Sequence, residues 1–195
     1  MTRIDDVSFD LLFRDARTYP AFLNKPVDHA LLFQIYDFMK WGPTSMNMSP
    51  LRIVFVTSPD AKAKLKPCLM PGNVDKTMAA PVTAIFAYDL EFYEKMSKLW
   101  PHSDAKALFA GKAEMIEDAA FRNATLQAAY FMIAARGLGL DCGPMSGFHR
   151  DAADAAFLAG TPYRSNFLCN LGYGDKSKLY PRAPRLDFDE VATII

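Results

Sequence analysis

The sequence predicts an α+β or α/β fold, in which three or four strands are separated by helices. The two clearest strands are expected at 51–57 and 82–88, where β-branched and aromatic residues cluster. A third, at 166–172, is almost continuously apolar, which is typical of a strand covered on both faces. The longest helical pattern runs from Glu114 to Arg136 and is apolar on most of its circumference, so we expect this helix to lie deep.

Capping residues define the other elements. Ser8 is expected to cap a short opening helix, Asp28 a second helix that runs to Trp41, and Ser58 a third. The remaining expectations are a turn at Gly143–Pro144, a short helix over 151–158, and a helix start at Asp187 and Glu190.

Composition favours a single domain spanning residues 1–195. The chain is 51% hydrophobic and can bury a substantial core. Its 22 basic and 22 acidic residues argue against a protein that holds nucleic acid or an anionic membrane through its overall field. Cys68, Cys142 and Cys169 are widely spaced, which fits buried thiols in a reducing compartment. With no apolar leader and no apolar run of about 18 residues, we expect a cytoplasmic protein.

Two segments carry charges that could hold an anionic ligand. Arg14 and Arg17 lie three residues apart, and on one helix face they could clamp a phosphate. The alternative interpretation is a solvated charged face. Asn73 and Lys76 have the same spacing and could reach the polar edge of one ring, although a surface pair would look the same in sequence.

Two further segments are suited to a flat ligand. Residues 43–50 are bounded by prolines and rich in hydroxyl and amide groups, which can bind a ring system without adding charge. Residues 143–147 combine glycine and proline, and permit close backbone approach. The alternatives are a plain connection for the first segment and a helix-to-helix turn for the second.

Three other chemistries are disfavoured. Gly137-Leu138-Gly139 ends a helix instead of joining a strand to a helix, so a dinucleotide fingerprint fails on context. Ser146 lacks the spacing of a hydrolase nucleophile. No metal site is predicted, because the histidines are isolated from other ligands: His29, His102 and His149.

Taken in chain order, the four segments resemble the FMN-binding segments of the nitroreductase family. The resemblance spans nearly the whole chain, with departures at Phe13, Asp15 and Ser49. It implies an α+β nitroreductase-like fold with a central mixed sheet flanked by helices, in an intertwined homodimer whose segment 180–195 extends over the partner. The implied FMN contacts are Arg14, Arg17, Pro43, Thr44, Ser45, Asn47, Asn73, Lys76, Pro144, Met145, Ser146, Gly147, and a basic residue that is either Arg182 or Arg185.

Four longer stretches resemble the RutE-type branch of that family: 39–45, 91–94, 143–148 and 171–175. This implies reduction of malonic semialdehyde to 3-hydroxypropanoate in uracil degradation, with FMN and with NADPH or NADH as hydride donor. The first half-reaction, in which the nicotinamide delivers hydride to FMN N5, then needs no catalytic side chain. Arg52 and Arg122 are candidate partners for the substrate carboxylate. A broad nitroaromatic, quinone or enone reductase is the main alternative, and a non-catalytic flavin-binding protein is a third.

Overall fold

The computed structural model describes residues 2–195 as a succession of helices and strands. The α-helices are α1 (Asp6–Phe9), α2 (His29–Met39), α3 (Pro59–Leu65), α4 (Pro71–Ala79), α5 (Met96–Leu99), α6 (Ala105–Phe109), α7 (Ala113–Gly137), α8 (Arg150–Phe157) and α9 (Phe188–Val191). The strands are β1 (Leu51–Val56), β2 (Val82–Asp89), β3 (Asp141–Met145) and β4 (Tyr163–Gly172). A π-helical turn covers Asp10–Arg14, and a 3₁₀ turn covers Ser45–Asn47. This is the α+β class that the family resemblance implies, and one of the two classes that the residue patterns leave open.

The four strands form one sheet in the order β1-β2-β4-β3. Each neighbouring pair is antiparallel, so the expectation of a mixed sheet is wrong for these strands. An isolated parallel bridge joins Thr18 to Cys142 at the β3 edge. Alternation of strands and helices along a sequence does not encode strand direction, because direction depends on which end of the sheet each connection returns to.

Helices cover the sheet on both faces, and β2 lies between them with all eight of its residues buried. Phe86 of β2 belongs to a core cluster with Ile35 of α2 and Phe131 of α7. Its neighbour Ile85 points to the opposite face and packs in a second cluster with Leu65 of α3. Alternate residues of one strand therefore join two apolar layers, as the period of two in a strand requires.

Helix α7 lies deep, as its apolar pattern predicts. Phe131 packs edge to face against Phe86, with 5.1 Å between ring centroids. Around this pair the helix presents small side chains that let it approach the sheet closely, and four alanines are completely buried: Ala120, Ala124, Ala128 and Ala135. The helix packs against β1, β2 and β3. It therefore links the sheet to α2, which packs against α7 on that face.

The predicted turn at Gly143–Pro144 is wrong, because these residues lie within β3. Pro144 pairs with Cys169 of β4. Proline cannot donate a backbone hydrogen bond, but β3 is an edge strand, where one side of the backbone needs no partner in the sheet. The sequence cue for a turn was the Gly-Pro dipeptide, and the edge position explains why a strand accommodates it.

Most predicted helix starts are confirmed. Asp28 accepts a hydrogen bond from the Ala30 amide at 2.9 Å, and Ser58 caps the helix that begins with Pro59. A capping box joins Asp187 to Glu190 at the start of α9.

The opening helix differs from the expectation. Asp5, not Ser8, is the cap, and its carboxylate accepts the Ser8 amide at 2.8 Å. Helix α1 ends at Phe9 and the π-helical turn ends at Arg14, so Arg17 lies beyond both. Arg14 and Arg17 consequently do not share a helix face, and that part of the phosphate-clamp argument is wrong.

Candidate active site

Helix α4 and the segment after β3 meet through Asn73 and Gly147. The Asn73 side-chain amide donates to the Gly147 carbonyl at 2.7 Å, and the Met70 amide donates to the same carbonyl at 3.1 Å. A Cβ at Gly147 would lie 2.4 Å from the Asn73 amide nitrogen, so a larger residue there would displace the Asn73 side chain from this contact. We call Asn73, Lys76 and residues 144–147 the ring face. The segment with Asn73 and Lys76 and the segment 143–147, which are far apart in the sequence, are therefore adjacent in space.

Lys76 supplies the positive charge of the ring face. It is half-buried on α4, and desolvation lowers the pKa of its ammonium group. Within residues 2–195 it forms no ion pair. A partly desolvated cation with no carboxylate partner is well placed to stabilise negative charge on a ligand.

The loop at residues 43–50 is backbone-strained and held by α7. Three of its non-glycine residues have left-handed backbone angles: Met46, Asn47 and Ser49, with φ of 48°, 51° and 41°. Such strain persists only when the surrounding contacts impose it, and it concentrates at ligand sites. Here the Tyr130 hydroxyl donates to the Pro43 carbonyl at 3.1 Å, and the Ser49 amide donates to the Thr44 hydroxyl at 3.2 Å.

Two polar residues that support this loop were missed by the sequence reasoning. The Asn123 side chain accepts the Ser45 amide at 2.8 Å, and the Gln127 side chain accepts the Leu51 amide at 2.9 Å. Both are buried on α7. The sequence feature that could have identified them is a pair of amide side chains four residues apart on an otherwise alanine-rich helix face. Asn47 is held separately, through its side-chain amide and the Leu99 carbonyl at 3.0 Å.

The N-terminal and C-terminal arginines meet at a second location. Arg17 donates to the Tyr180 carbonyl at 2.5 Å, and Arg182 donates to the carbonyls of Arg14 and Ala16 at 2.7 and 3.0 Å. We call Arg17 and Arg182 the arginine corner. Among residues 2–195, Arg185 instead bonds only to the carbonyls of Ala183 and Pro184, which immediately precede it. Of the two candidates near the C-terminus, Arg182 is therefore the one that reaches the N-terminal segment.

Arg14 has a different environment from the arginine corner. Its guanidinium is paired with Asp10, which raises the pKa of Arg14, and it also contacts Asp6 at 3.5 Å. Its backbone carbonyl, however, accepts from Arg182. Arg14 thus contributes its main chain to the corner, while its side-chain charge is already compensated.

A cavity of about 490 Å³ opens beside the ring face and contains a cation that the sequence reasoning missed. It is lined by Phe121, Pro144, Met145, Ser146, Arg150, Asn166 and Phe167. Arg150 donates to the Ser165 carbonyl at 2.8 Å and to the Tyr88 hydroxyl at 3.1 Å. It forms no ion pair within the described chain. Its position four residues after Ser146, at the start of α8, was the available signal.

The two arginines considered for a substrate carboxylate are already paired. Arg52 binds Asp89 at 2.5 Å, and Arg122 binds both carboxylate oxygens of Asp118 at 2.7 Å. Neither offers an uncompensated charge.

Residues 2–195 contain no group of three or more metal-ligating side chains. Over the same residues, no helix combines the length and the apolarity needed to cross a membrane.

Comparison with known proteins identifies the family of this chain. The family model described as the nitroreductase family matches residues 14–173. A protein of Burkholderia lata, provisionally named NADH dehydrogenase/NAD(P)H nitroreductase, is 58% identical over 194 residues, with 100% of each chain covered.

Solved structures share the fold. A nitroreductase-type protein of Bacillus subtilis superposes with a TM-score of 0.89 at 20% identity, covering 98% of this chain and 100% of its own. One from Exiguobacterium sibiricum, solved in complex with FMN, superposes with a TM-score of 0.84 at 19% identity, covering 100% of this chain and 99% of its own. The match to the family model over most of the chain and the close relative together establish that this chain belongs to the nitroreductase family.

Proposed function

We propose that this chain is an FMN-dependent NAD(P)H oxidoreductase that reduces malonic semialdehyde to 3-hydroxypropanoate in uracil degradation. The observation that carries the flavin part is the hydrogen bond from Asn73 to Gly147, which brings the helix that carries Lys76 against residues 144–147. FMN in the Exiguobacterium neighbour and the NAD(P)H nitroreductase name of the Burkholderia relative support the cofactor and the hydride donor.

The residues present fit FMN. Lys76 would hold the N1/O2 edge of the ring, where its unpaired ammonium stabilises the charge of the reduced form. The missing Cβ of Gly147 leaves room for the Asn73 side chain against residues 144–147. Ser45 and Asn47 are exposed on the strained loop and offer polar groups that carry no charge. Bound FMN supplies hydride acceptance from NAD(P)H and hydride donation to the acceptor.

The phosphate would lie at the arginine corner, with Arg17 and Arg182 as its main cations. The two side chains come from opposite ends of the chain, and each donates to backbone carbonyls of the segment that carries the other. Guanidinium groups suit a phosphate because they donate several hydrogen bonds in one plane. Arg14 contributes less charge, since Asp10 compensates it.

Arg150 would bind the carboxylate of malonic semialdehyde. It lines the cavity next to Pro144, Met145 and Ser146, and it has no carboxylate partner within residues 2–195. In the reaction the aldehyde carbon gains a hydride and its oxygen gains a proton, while NAD(P)H becomes NAD(P)⁺. Holding the carboxylate leaves the other end of this three-carbon substrate free to face the hydride donor.

The substrate proposal is tested by steady-state turnover of malonic semialdehyde against quinones and nitroaromatics. We expect the aldehyde to have the highest kcat/KM, and Arg150→Gln to lower that value by roughly 30-fold, since a charge-assisted pair contributes about 2 kcal/mol. Turnover of an uncharged quinone should change less than about twofold in the same variant. A kcat/KM for the aldehyde well below that for the quinones would reject the substrate.

A broad nitroaromatic, quinone or enone reductase is the second candidate. Phe121 and Phe167 line the same cavity and offer apolar walls to a flat acceptor, and the name of the Burkholderia relative refers to nitro compounds. This candidate shares the cofactor and differs in the acceptor, so the turnover comparison separates the two. A non-catalytic flavin-binding protein is rejected if NADPH or NADH bleaches the flavin absorbance of the purified protein.

The proposal includes a homodimer in the cytoplasm, built from one domain that spans residues 1–195. Exposed apolar side chains cluster on two parts of the chain, and both need a covering surface. On the terminal segment 180–195 they are Leu186, Phe188, Val191, Ile194 and Ile195; on α2 they are Phe33, Tyr36 and Phe38. We propose that the terminal segment extends over the partner subunit. Three buried free cysteines suit a reducing compartment.

A further inference from the structure

A buried polar network lies directly behind the ring face. Lys62 of α3 is only 5% exposed, and its ammonium donates to the Thr77 carbonyl at 2.8 Å and to the Thr83 hydroxyl at 2.6 Å. Thr83 and Asn170 are joined at 2.7 Å, and Asn170 and Thr77 at 3.2 Å. The Thr77 hydroxyl then contacts the Met145 sulfur at 3.5 Å. The network thus connects α3, α4, β2, β3 and β4.

The chemistry of the groups fixes the direction of every hydrogen bond in the network. An ammonium can only donate, so the Thr83 oxygen accepts from Lys62 and its proton goes to the Asn170 carbonyl oxygen. The Asn170 amide must then donate to the Thr77 oxygen, which leaves the Thr77 proton for the Met145 sulfur. Each group therefore holds its neighbour in one orientation.

Thr77 is placed where it can control the ring face. Asn73 and Thr77 are four residues apart on one face of α4. Asn73 attaches the helix to Gly147, and Thr77 attaches it to Met145 one turn later. Lys76 lies between these two anchors. The helix that carries the charge is thus attached at two points to residues 145–147, once to the Gly147 carbonyl and once to the Met145 side chain.

Burying a lysine in an apolar interior costs free energy, because its ammonium group loses contact with water. Burial lowers the pKa of Lys62 to about 8, and it has no carboxylate partner within residues 2–195. An apolar side chain of similar volume would pack there without that desolvation cost. The network is therefore better explained by the orientation it imposes than by stability alone.

We propose that Thr77 is a positioning residue: through its hydroxyl, the Lys62–Thr83–Asn170 network sets the distance between Lys76 and the Met145–Gly147 segment. This inference rests on the proposed role of Lys76 at the flavin ring. The contact acts on the binding geometry of the flavin and takes no part in hydride or proton transfer.

The test compares Thr77→Val, which keeps the shape and removes the hydroxyl, with Thr77→Ser, which restores the hydroxyl. FMN affinity is measured by fluorescence titration of the apoprotein, together with the visible spectrum of the bound flavin and the Tm of the apoprotein. We expect Thr77→Val to weaken FMN binding by roughly fivefold or more and to shift the flavin absorption band, as removal of an oriented hydrogen bond implies. Thr77→Ser should bind within about twofold of the wild type.

Thr161→Val is the matched control, because it removes a threonine hydroxyl bonded to the Leu158 carbonyl at 2.6 Å, outside the network. It should leave the flavin spectrum and FMN affinity unchanged. Met145→Leu removes the sulfur acceptor at low packing cost, and tests the same contact if Thr77→Val does not fold. A wild-type spectrum and affinity in Thr77→Val, or in Met145→Leu if the first does not fold, would overturn the positioning role. Failure of the wild-type protein to bind FMN would instead reject the proposed function, and the inference with it.

Discussion

The ring face and the arginine corner are built in different ways. At the ring face, Asn73 fastens α4 to Gly147 after β3, and Thr77 fastens it to Met145 at the end of β3; a buried network supports them from behind. At the arginine corner, Arg17 and Arg182 lie on irregular segments and bond to backbone carbonyls near the surface. Contacts in the interior of the protein thus fix the geometry of the ring face. The arginine corner depends on a terminal segment with no buried residue of its own.

Because they are built differently, we expect the two regions to contribute differently to cofactor binding. Residues held by several buried partners have little freedom left to lose on binding a ligand, whereas exposed arginines must be ordered when the ligand arrives. We therefore expect the ring face to set the geometry and redox properties of the flavin. The arginine corner should mainly set how tightly the cofactor is retained, and its terminal segment should depend on the partner subunit.

Deletion of residues 180–195 should have the largest effect, because it removes the part of the arginine corner that the terminal segment supplies. It removes Arg182 and the Tyr180 carbonyl that Arg17 binds, together with the exposed apolar side chains of the terminal segment. We expect FMN affinity to fall by about 100-fold or more, from the loss of several charge-assisted contacts, and the dimer to dissociate. Light scattering and fluorescence titration measure the two effects. A truncated protein that remains dimeric would show that the terminal segment does not extend over a partner.

Lys76→Ala probes the ring face directly. We expect roughly 20-fold weaker FMN binding and slower reduction of any flavin that is retained, because the variant loses a half-buried cation without a competing partner. Lys66→Ala removes an exposed lysine just before α4 and serves as the control. Stopped-flow reduction by NADPH gives the rate. If both variants behave like the wild type, Lys76 is only a surface lysine.

Lys62→Met tests the support behind the ring face through the pH dependence of stability. The unfolded chain holds a proton on Lys62 up to its ordinary pKa near 10.4, whereas the folded chain releases it near pH 8. The free energy of unfolding should therefore rise with pH across that window. Between pH 7.5 and 9.5 we expect a rise of about 1–2 kcal/mol that Lys62→Met abolishes. Urea unfolding measures it, and exposed Lys64 on the same helix provides the control, Lys64→Met. The same rise in both variants would mean that the ionisation belongs to another group.

Arg182→Ala and Arg185→Ala together sharpen the assignment of the arginine corner. Arg182 reaches the carbonyls of Arg14 and Ala16, whereas Arg185 bonds only to its own neighbours. We expect FMN affinity to fall about fivefold in Arg182→Ala, as for one exposed charge-assisted contact, and less than about twofold in Arg185→Ala. The opposite order of affinities would assign the phosphate contact to Arg185.

Much of the candidate site could be predicted because local chemistry marks it. The Asn73 and Lys76 spacing, the Gly147 position and the polar loop at 43–50 are visible as residue patterns, and the structure joins Asn73 to Gly147. The missed residues were Asn123, Gln127 and Arg150. Their roles depend on which backbone amide or cavity lies opposite them, and a single sequence does not encode that relation.

The errors in the fold have the same origin. Gly143–Pro144 was expected to form a turn from local propensity, but β3 is an edge strand, where a proline is tolerated. Arg14 and Arg17 were expected on one helix face, but a π-helical turn ends between them. Both outcomes follow from how neighbouring elements pack on the segment, which overrides local preference.

The sequence by itself determined a fold built from both strands and helices, the deep helix α7, the caps at Asp28 and Ser58, and the residue types that a flavin site needs. These follow from periodicity and short-range hydrogen bonding, which act within a few residues. Only the tertiary structure decided that the strands are antiparallel, that Arg182 and not Arg185 meets the N-terminal segment, and that Thr77 joins α4 to β3. Those outcomes depend on contacts between residues far apart in the chain, whose geometry exists only once the core has packed.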